Sequence, residues 1–303
     1  MFRKKLRYIL PRLGRFRYYG RIRIFGFDRQ RKIKRTLYEK LKLVMNTESE
    51  TVIPFIDIDV TTHCNLRCKR CAKCIPYYRE KRHMPPEEIR ENLDLLTKYV
   101  DRICVGSIIG GEPFLNPQLA EIIRICASYE KIEHLEVTTN GTIIPDDETL
   151  CAIRDSGASV HLSEYEHIDA RHIETREKLR EKLREYGIFY VSQFHPEWLD
   201  FGEIEKRAHS RRELDDMFIH CTMNSCSIYN NKTLYRCGRA SYLAQHGIES
   251  GGDDVIRFDK IKSREEAKEK IRKFFAIRHL PACSYCERKP ATIISGEQLP
   301  PVR

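Results

Sequence analysis

Apolar runs of strand length alternate with helix-length stretches between Thr51 and about Asp200. The apolar runs cover residues 52–60, 102–109, 133–138, 158–163 and 187–193. Helix-like stretches lie between them, at residues 86–100, 116–129, 146–155 and 168–186. Because strands that alternate with helices form parallel sheets with right-handed crossovers, the pattern predicts an α/β fold. Sheets of this kind carry functional residues at the C-terminal ends of their strands, so candidate chemistry is expected there.

The alternation ends after Asp200, and two different patterns follow it. The charged stretch from Glu203 to Asp216 predicts a surface helix. The segment from Ile228 to Tyr235 predicts a β-hairpin with an Asn-Asn-Lys turn, and cysteines flank it. The chain therefore divides into a basic arm at residues 1–48, an α/β body at 49–205 and a cysteine-rich domain at 206–303.

Composition predicts a soluble globular protein of one or two domains. Of 303 residues, 41% are hydrophobic and 32% are charged. The N-terminus is basic without an apolar stretch after it, so no signal peptide is expected, and no segment approaches the roughly 20 apolar residues of a membrane span. We therefore predict a cytoplasmic protein, in which disulfides are rare. Its 12 cysteines then indicate metal-binding or catalytic groups.

The positive charge is concentrated in the N-terminal arm. Residues 1–45 hold 16 Lys and Arg against 2 Asp and Glu, whereas the other 258 residues hold 38 against 42. Aromatic and aliphatic residues are interleaved with these cations. The arm can pack on the body as a solvated segment, or it can lie on an anionic membrane surface, which would make the protein peripheral. Nucleic acid is a third and less favoured partner, because the body is mildly acidic.

Three cysteines follow the first apolar run at the spacing C-x3-C-x2-C. Cys64, Cys68 and Cys71 lie on a loop that leaves a strand, and their thiolates are soft ligands suited to zinc, copper(I) or iron–sulfur clusters. Three thiolates on a four-iron cluster would leave one iron open to a small molecule. The alternative is a zinc site that adds Cys74 as its fourth ligand.

Further motifs stand at the ends of the next three apolar runs. The segment from Gly110 to Pro113 follows the second run, the segment from Thr138 to Thr142 ends the third, and Ser163 ends the fourth. With the cysteine loop, these segments resemble in order and position the motifs of the radical S-adenosylmethionine (radical SAM) enzymes. The resemblance covers Thr51 to about Asp200. One position differs, because the family usually has an aromatic residue where this chain has Arg70.

The resemblance implies a partial (β/α)6 TIM-like barrel that is open on one side. It implies a 4Fe–4S cluster held by Cys64, Cys68 and Cys71, which would cleave S-adenosylmethionine to a 5′-deoxyadenosyl radical. It also implies that residues of the later motifs contact S-adenosylmethionine. These are Gly110, Gly111, Glu112, Pro113, Thr139, Asn140 and Ser163.

The cysteine-rich region resembles the SPASM/Twitch extensions of radical SAM enzymes. Those extensions hold auxiliary 4Fe–4S clusters, and the absence of the long SPASM cysteine run favours one auxiliary cluster over two. By this resemblance the candidate ligands of the auxiliary cluster are Cys237, Cys283 and Cys286, with Cys221 and Cys226 as alternatives for the fourth place. Lys232 departs from the pattern, which has Gly before Cys237. A zinc ribbon is the other interpretation of these cysteines.

A cysteine that does not bind the auxiliary cluster can have another role. Cys226 is a candidate hydrogen-atom donor, a role that free cysteines take in some radical SAM epimerases. Cys104, Cys126 and Cys151 lie within apolar strand or helix patterns and are predicted to be core residues.

Two histidines and the one tryptophan complete the candidate site. His161, His195 and Trp198 are placed by the pattern near the open end of the predicted barrel, where each could line a substrate pocket. For each, a structural role is the alternative.

The sequence therefore predicts a radical SAM enzyme that removes hydrogen from a small substrate. A sugar, a cyclitol or a peptide would undergo oxidation or epimerisation, and a donor such as flavodoxin or ferredoxin would supply single electrons. An activase or maturase that modifies a partner protein is the first alternative. A zinc-containing nucleic-acid-binding protein is the alternative from a different class.

Overall fold

The computed structural model describes residues 50–166, 169–224, 226–248 and 252–300. The basic arm predicted for residues 1–48 lies outside these ranges, together with the interpretations that depend on it. No helix within the described ranges is long and apolar enough to cross a membrane.

Twelve strands and seven α-helices lie within the described ranges. The strands are β1 (Val52–Ile53), β2 (Ile56–Thr61), β3 (Arg102–Ile103), β4 (Gly106–Gly110), β5 (Leu135–Thr139), β6 (Ser159–Tyr165), β7 (Tyr190–His195), β8 (Glu197–Asp200), β9 (Ile228–Asn230), β10 (Thr233–Tyr235), β11 (Val255–Arg257) and β12 (Ala291–Ile294). The helices are α1 (Pro86–Tyr99), α2 (Leu119–Ala127), α3 (Asp147–Asp155), α4 (Ala170–Glu185), α5 (Arg211–His220), α6 (Gly238–Gln245) and α7 (Arg264–Ala276).

Eight of the strands form one sheet in the order β11-β10-β9-β2-β4-β5-β6-β7. Strands β2, β4, β5, β6 and β7 are parallel and alternate with helices α1 to α4, so the predicted α/β class is confirmed. The sixth parallel strand is β9, which pairs with β2 and comes from the C-terminal region. The α/β body itself contributes five, because the chain after β7 enters β8 and pairs with β12 instead.

The inner and outer faces of the sheet differ in character. Along β2, Ile56, Ile58 and Val60 join the main hydrophobic core, which also includes residues of the helices. Asp57 and Asp59 project from the opposite face because side chains alternate along a strand, and both are buried. Burial of each large aliphatic side chain stabilises the fold by about 1.5–3 kcal/mol. The outer face, with the isoleucines and the valine, therefore contributes stability. The inner face, with the two aspartates, carries polar groups.

Capping residues decide where the helices begin. The Asp146 side chain accepts a hydrogen bond from Thr149 N at 2.8 Å, so α3 begins where the acidic turn predicts it. Ser210 and Glu213 form a capping box at the start of α5. The prediction of a helix beginning at Glu203 was therefore wrong, since the helix begins at Arg211.

The predicted hairpin is confirmed as β9 and β10. Asn230 pairs with Thr233, and the two turn residues, Asn231 and Lys232, have φ angles of 42° and 59°. Positive φ at both turn positions matches the twist of antiparallel strands. Lys232 has this left-handed conformation at the position where the SPASM/Twitch pattern has Gly. Its backbone N–H donates to Asn92 Oδ1 at 2.7 Å, and this bond supports the conformation.

Candidate active site

The motifs at the ends of β2, β4, β5 and β6 line one cavity of about 220 Å³. We call it the barrel cavity. The predicted residues in its wall are Cys64, Cys68, Cys71, Gly110, Gly111, Thr139, Asn140 and Ser163.

Two glycines allow the strand ends to approach closely. A Cβ atom on Gly110 would lie 2.2 Å from Thr61 O, and one on Gly111 would lie 2.1 Å from His63 O. The backbone explains this closeness, because Gly111 N donates to Thr61 O and Glu112 N donates to His63 O, both at 2.8 Å. Glycine is required here for close approach, and these contacts hold the start of the Cys64 loop against β4.

The Glu112 carboxylate lies behind the cavity wall and joins two motifs. It is fully buried and accepts hydrogen bonds from Phe114 N, Thr139 Oγ1 and Asn140 N at 3.1, 2.8 and 2.8 Å. Burial raises the pKa of Glu112 to about 7, and these donors offset part of that rise. Pro113 is also buried and begins a single 3₁₀ turn. The side chain of Glu112 therefore positions the Thr139 turn.

Asparagine side chains connect this turn to the cysteine loop. Asn140 Oδ1 accepts from Thr142 N at 2.9 Å, and Asn140 Nδ2 donates to Asn65 Oδ1 at 3.1 Å. Asn65 in turn donates to Thr142 Oγ1 at 2.7 Å. Asn65 was missed by sequence reasoning, although its position beside Cys64 could have indicated it.

A buried arginine from α4 also reaches this edge. Arg176 is 4% exposed, and it donates to Asn140 O at 3.1 Å and to Ser163 O at 3.3 Å. Burial lowers the pKa of Arg176, and nearby Glu164 opposes that effect. Sequence reasoning missed this residue because α4 carries many cations, and only the fold shows which of them turns inward.

The three thiols of the cysteine loop form a donor set that fits an iron–sulfur cluster. Burial raises the pKa of Cys68 to about 12 and also raises the pKa values of Cys64 and Cys71. The thiols are therefore neutral until a metal displaces their protons. Cys64, Cys68 and Cys71 line the same cavity, and Cys71 and Cys68 lie near enough to Cys64 to raise its pKa further. Three soft thiolates at one place are a donor set that a 4Fe–4S cluster accepts, each on a different iron.

A second, smaller cavity of about 60 Å³ lies in the C-terminal region. We call it the auxiliary cavity. Its wall contains Cys74, Cys221, Cys237, Cys283 and Cys286. Cys74 therefore lines a different cavity from Cys64 and Cys68, and Cys71 lines both cavities.

Helix α6 places Cys237 beside the first cysteine loop. Cys237 caps the helix, and its sulfur accepts from Ala240 N at 3.3 Å. A Cβ atom on Gly238 would lie 2.7 Å from Ala72 O, so the helix start packs directly on the residue after Cys71. Burial raises the pKa of Cys237 to about 12. The auxiliary cavity is thus built against the loop that carries the first three cysteines.

The two alternative ligands, Cys221 and Cys226, line different cavities. Cys221 is in the wall of the auxiliary cavity, whereas Cys226 is in the wall of the barrel cavity and is 2% exposed. Cys221 therefore shares the cavity of Cys237, Cys283 and Cys286, and Cys226 does not. This placement favours Cys221 as a ligand. Cys226 lies near enough to Cys221 and Cys237 to raise the pKa values of both thiols.

The two cavities share part of one wall. The residues that line both are Arg70, Cys71, Ala72, Phe201 and Met223. Arg70 Nε lies 2.7 Å from Asp200 Oδ1, and Arg70 Nη1 lies 2.6 Å from Glu203 Oε1. The guanidinium at the family's aromatic position therefore binds the segment that leads into the C-terminal region.

Charged groups lie on the inner face near the shared wall. Lys73 donates to Asp59, and its Nζ lies 3.8 Å from Asp57 Oδ2. Asn230 Nδ2 donates to Asp59 Oδ2 at 3.1 Å. Burial alone would lower the pKa of Lys73, but Asp59 and Asp57 raise it, so the ammonium stays charged. Asp57 and Lys73 both line the barrel cavity.

The remaining candidates divide between the cavity and the core. His161, His195 and Trp198 all line the barrel cavity, and the Trp198 ring lies 4.9 Å from that of Tyr165. Cys104 and Cys126 are buried in the core as predicted. Cys151 is half-buried on α3.

The family model of the Radical SAM superfamily matches residues 58–164 of this chain. Among curated proteins the chain is 34% identical over 104 residues to GTP 3′,8-cyclase of Aquifex aeolicus (strain VF5), which covers 33% of this chain and 31% of that protein. It is 30% identical over 105 residues to GTP 3′,8-cyclase of Listeria monocytogenes serotype 4b, covering 34% and 30%. The chain thus matches less than a third of the length of these relatives.

Similar solved structures include two with low sequence identity. BtrN in complex with AdoMet and 2-DOIA is 15% identical with a TM-score of 0.48, and the match covers 74% of this chain and 86% of that one. SuiB of Streptococcus suis bound to precursor peptide SuiA is 20% identical with a TM-score of 0.39, covering 51% and 35%.

The family match contains every motif that lines the barrel cavity. Its range includes the loop from Cys64 to Cys71, the glycines at 110 and 111, the turn at Asn140 and the end of β6 at Ser163. The segment from residue 58 to residue 164 therefore matches the Radical SAM superfamily.

Proposed function

We propose that this chain is a radical SAM enzyme with one auxiliary 4Fe–4S cluster, and that it oxidises or epimerises a carbon of a small substrate. Cys64, Cys68 and Cys71 would hold the first cluster. The auxiliary cluster would be held by Cys221, Cys237, Cys283 and Cys286. The observation that carries the proposal is the shared wall of the two cavities, with the Cys226 thiol on its barrel side.

The strand ends of the barrel provide the groups that would bind S-adenosylmethionine. When bound with the reduced cluster, this cofactor supplies a 5′-deoxyadenosyl radical that removes a hydrogen atom from a substrate C–H bond. Gly110 and Gly111 leave room for a ligand beside the cysteine loop. The buried Arg176 guanidinium donates to Asn140 O and Ser163 O and so holds these two wall residues in position.

The polar groups of the barrel cavity suit a small hydroxylated substrate such as a sugar or a cyclitol. Asp57 and Lys73 present opposite charges on one side, and His161 and Gln193 add further hydrogen-bonding groups. Trp198 offers an apolar face of the kind that stacks on a sugar ring. A peptide residue of similar size is the other substrate class that this wall would accept.

The fate of the substrate radical depends on two different residues. For oxidation of a carbinol, the hydroxyl proton would pass to the Asp57 carboxylate and one electron to the auxiliary cluster, leaving a carbonyl. For epimerisation, the Cys226 S–H would return a hydrogen atom to the opposite face of the carbon, leaving a thiyl radical that must take up an electron and a proton. Both groups line the barrel cavity.

Anaerobic turnover in D₂O with a panel of sugars, aminocyclitols and peptides would test the proposal. The reconstituted enzyme, dithionite and S-adenosylmethionine are supplied, and 5′-deoxyadenosine and product are quantified. Epimerisation places one deuterium on the inverted carbon because thiol protons exchange with solvent, whereas oxidation places none. Formation of 5′-deoxyadenosine without product from any of these classes would contradict the substrate assignment.

Two cysteine variants identify the hydrogen donor in that experiment. Cys226→Ala should abolish epimer formation while 5′-deoxyadenosine still forms. Cys151→Ala removes a half-buried thiol on α3 and serves as the matched control. If the two variants behave alike, Cys226 is not the donor.

Cyclisation of GTP is a second candidate, favoured by the names of the curated relatives. Their similarity covers about a third of this chain. GTP therefore belongs in the same panel, and its cyclised product would be identified by mass spectrometry. A flavodoxin or ferredoxin would replace dithionite as the physiological electron donor in either case.

A further inference from the structure

The C-terminal segment after β12 returns to the first cysteine loop. Strand β12 pairs with β8, and Ser295 then connects two neighbouring strand ends. Its hydroxyl donates to His195 O and accepts from Glu166 N at 2.8 Å, and its own N–H donates to Pro196 O at 3.1 Å. Ser295 is fully buried, so this junction is part of the packed structure.

Residues 297–299 pair with the cysteine loop itself. Lys69 N donates to Glu297 O at 2.7 Å, and Leu299 N donates to Arg67 O at 2.8 Å. Cys68 and Gln298 form an antiparallel bridge between these bonds. We call residues 295–299 the C-terminal strap. The strap covers the cysteine loop although Gln298 and Cys68 are 230 residues apart in the chain.

The Gln298 side chain makes the closest contact of the strap with a cysteine. Its Oε1 accepts from Arg67 N at 2.6 Å, and its Nε2 lies 3.3 Å from Cys68 Sγ. The same Nε2 also donates to Gly296 O. Both hydrogens of the amide are therefore used, and one of them points to the sulfur. Cys68 is 7% exposed, so water competes little for this bond.

We propose that Gln298 raises the reduction potential of the cluster held by Cys68, and that the strap is part of the cluster site. Reduction adds negative charge to the iron and sulfur atoms. An N–H dipole directed at a ligand sulfur stabilises that charge, and such hydrogen bonds are among the factors that set cluster potentials. A glutamine outside the three-cysteine motif would thus control how readily the cluster accepts its electron. The inference rests on Cys64, Cys68 and Cys71 holding that cluster, as proposed above.

Redox titration of the reconstituted full chain, followed by electron paramagnetic resonance, tests this role directly. In Gln298→Leu the N–H donor is absent, and we expect a more negative midpoint potential, seen as a several-fold lower ratio of reduced to oxidised cluster at fixed potential. Gln298→Glu keeps the acceptor for Arg67 N and removes the donor to sulfur. It should shift the potential in the same direction.

A control variant within the strap separates the sulfur contact from general loosening. Glu297→Gln breaks the ion pair in which Lys69 Nζ lies 3.0 Å from Glu297 Oε1, where both side chains are over 40% exposed. It leaves the sulfur contact in place and should leave the potential unchanged.

Three results would overturn the assignment. The first is an unchanged midpoint potential in both Gln298 variants. The second is a shift of the midpoint potential in Glu297→Gln as large as in the Gln298 variants. The third is loss of the cluster's iron from both Gln298 variants, which would give the strap a structural role only. Failure of the underlying proposal is distinguishable, because the wild-type chain would then show no cluster that depends on Cys64, Cys68 and Cys71.

Discussion

Cys221 and Cys226 are five residues apart in the chain, yet Cys221 lines the auxiliary cavity and Cys226 lines the barrel cavity. The hairpin begins at Ile228, and its first strand pairs with β2 on the barrel side. Cys226 lies two residues before that strand, whereas Cys221 caps the C-terminal end of α5. Two cysteines that are close in the chain and interact electrostatically therefore line different cavities.

This division predicts different iron contents for two single variants. After anaerobic reconstitution the wild-type chain should bind about eight irons and eight sulfides, as two 4Fe–4S clusters. Cys221→Ser should reduce this toward about four, because it removes one of four auxiliary ligands. Cys226→Ser should keep about eight. The opposite pattern would make Cys226 the ligand.

Gly111→Ala should disturb the first cluster selectively. The added Cβ would lie 2.1 Å from His63 O, so the cysteine loop has to move. We expect a loss of about 1–3 kcal/mol in the free energy of unfolding, as for other overpacked sites, and loss of the iron that depends on Cys64. Gly252→Ala is the control, since nothing lies within 4 Å of its added Cβ. Full iron content in Gly111→Ala would show that the close approach is dispensable.

The stability of the cluster-free protein should depend on Glu112 and pH. Its pKa is about 7 in the folded chain, above the ordinary value of 4.5, because the carboxyl group is buried. The folded state then binds more protons than the unfolded state between these values. Stability therefore falls as pH rises from about 4.5 to 7, by a few kcal/mol at most.

Glu112→Gln tests this titration because an amide has no proton to lose in this range. Chemical denaturation at several pH values should show a smaller decline in stability for the variant between pH 5 and 7 than for the wild type. The variant is also expected to be less stable overall at low pH, because Thr139 and Asn140 donate to different carboxyl oxygens and an amide nitrogen in place of either oxygen cannot accept. Parallel pH profiles for the two proteins would contradict the raised pKa.

Arg176→Met should weaken binding of S-adenosylmethionine while leaving both clusters in place. The guanidinium donates to Asn140 O and Ser163 O and so fixes two residues of the cavity wall, although Arg176 itself is not in that wall. Because a hydrogen bond to a charged group contributes about 1.5–3 kcal/mol to such positioning, we expect a severalfold weaker Kd. Equilibrium dialysis of S-adenosylmethionine against the reconstituted protein would measure this Kd. Arg171→Met, with a side chain 89% exposed on the same helix, should bind normally.

The order of the strands and helices and the position of the first cysteine loop could be predicted from the sequence. Alternating apolar runs predicted the parallel strands, and the motifs at their ends predicted which residues share one cavity, because parallel strands direct their C-terminal ends to one edge. The Asn231–Lys232 turn was also local information, since a two-residue hairpin turn depends mainly on its own backbone. Local rules failed at Glu203, where the capping box at Ser210 begins the helix seven residues later.

Contacts between distant segments could not be read in this way. Three features depend on residues that are far apart in the chain. They are the different cavities of Cys221 and Cys226, the burial of Arg176 against Ser163 O, and the pairing of Gln298 with Cys68. Periodicity indicates which face of a helix is apolar, but it does not indicate which cation of a mostly polar helix turns inward. The linear sequence thus specified the strands, the cysteine loop and the family motifs, because these depend on spacing along the chain. Packing between remote segments specified the grouping of the later cysteines, the charged wall and the strap, because each requires partners that meet only after folding.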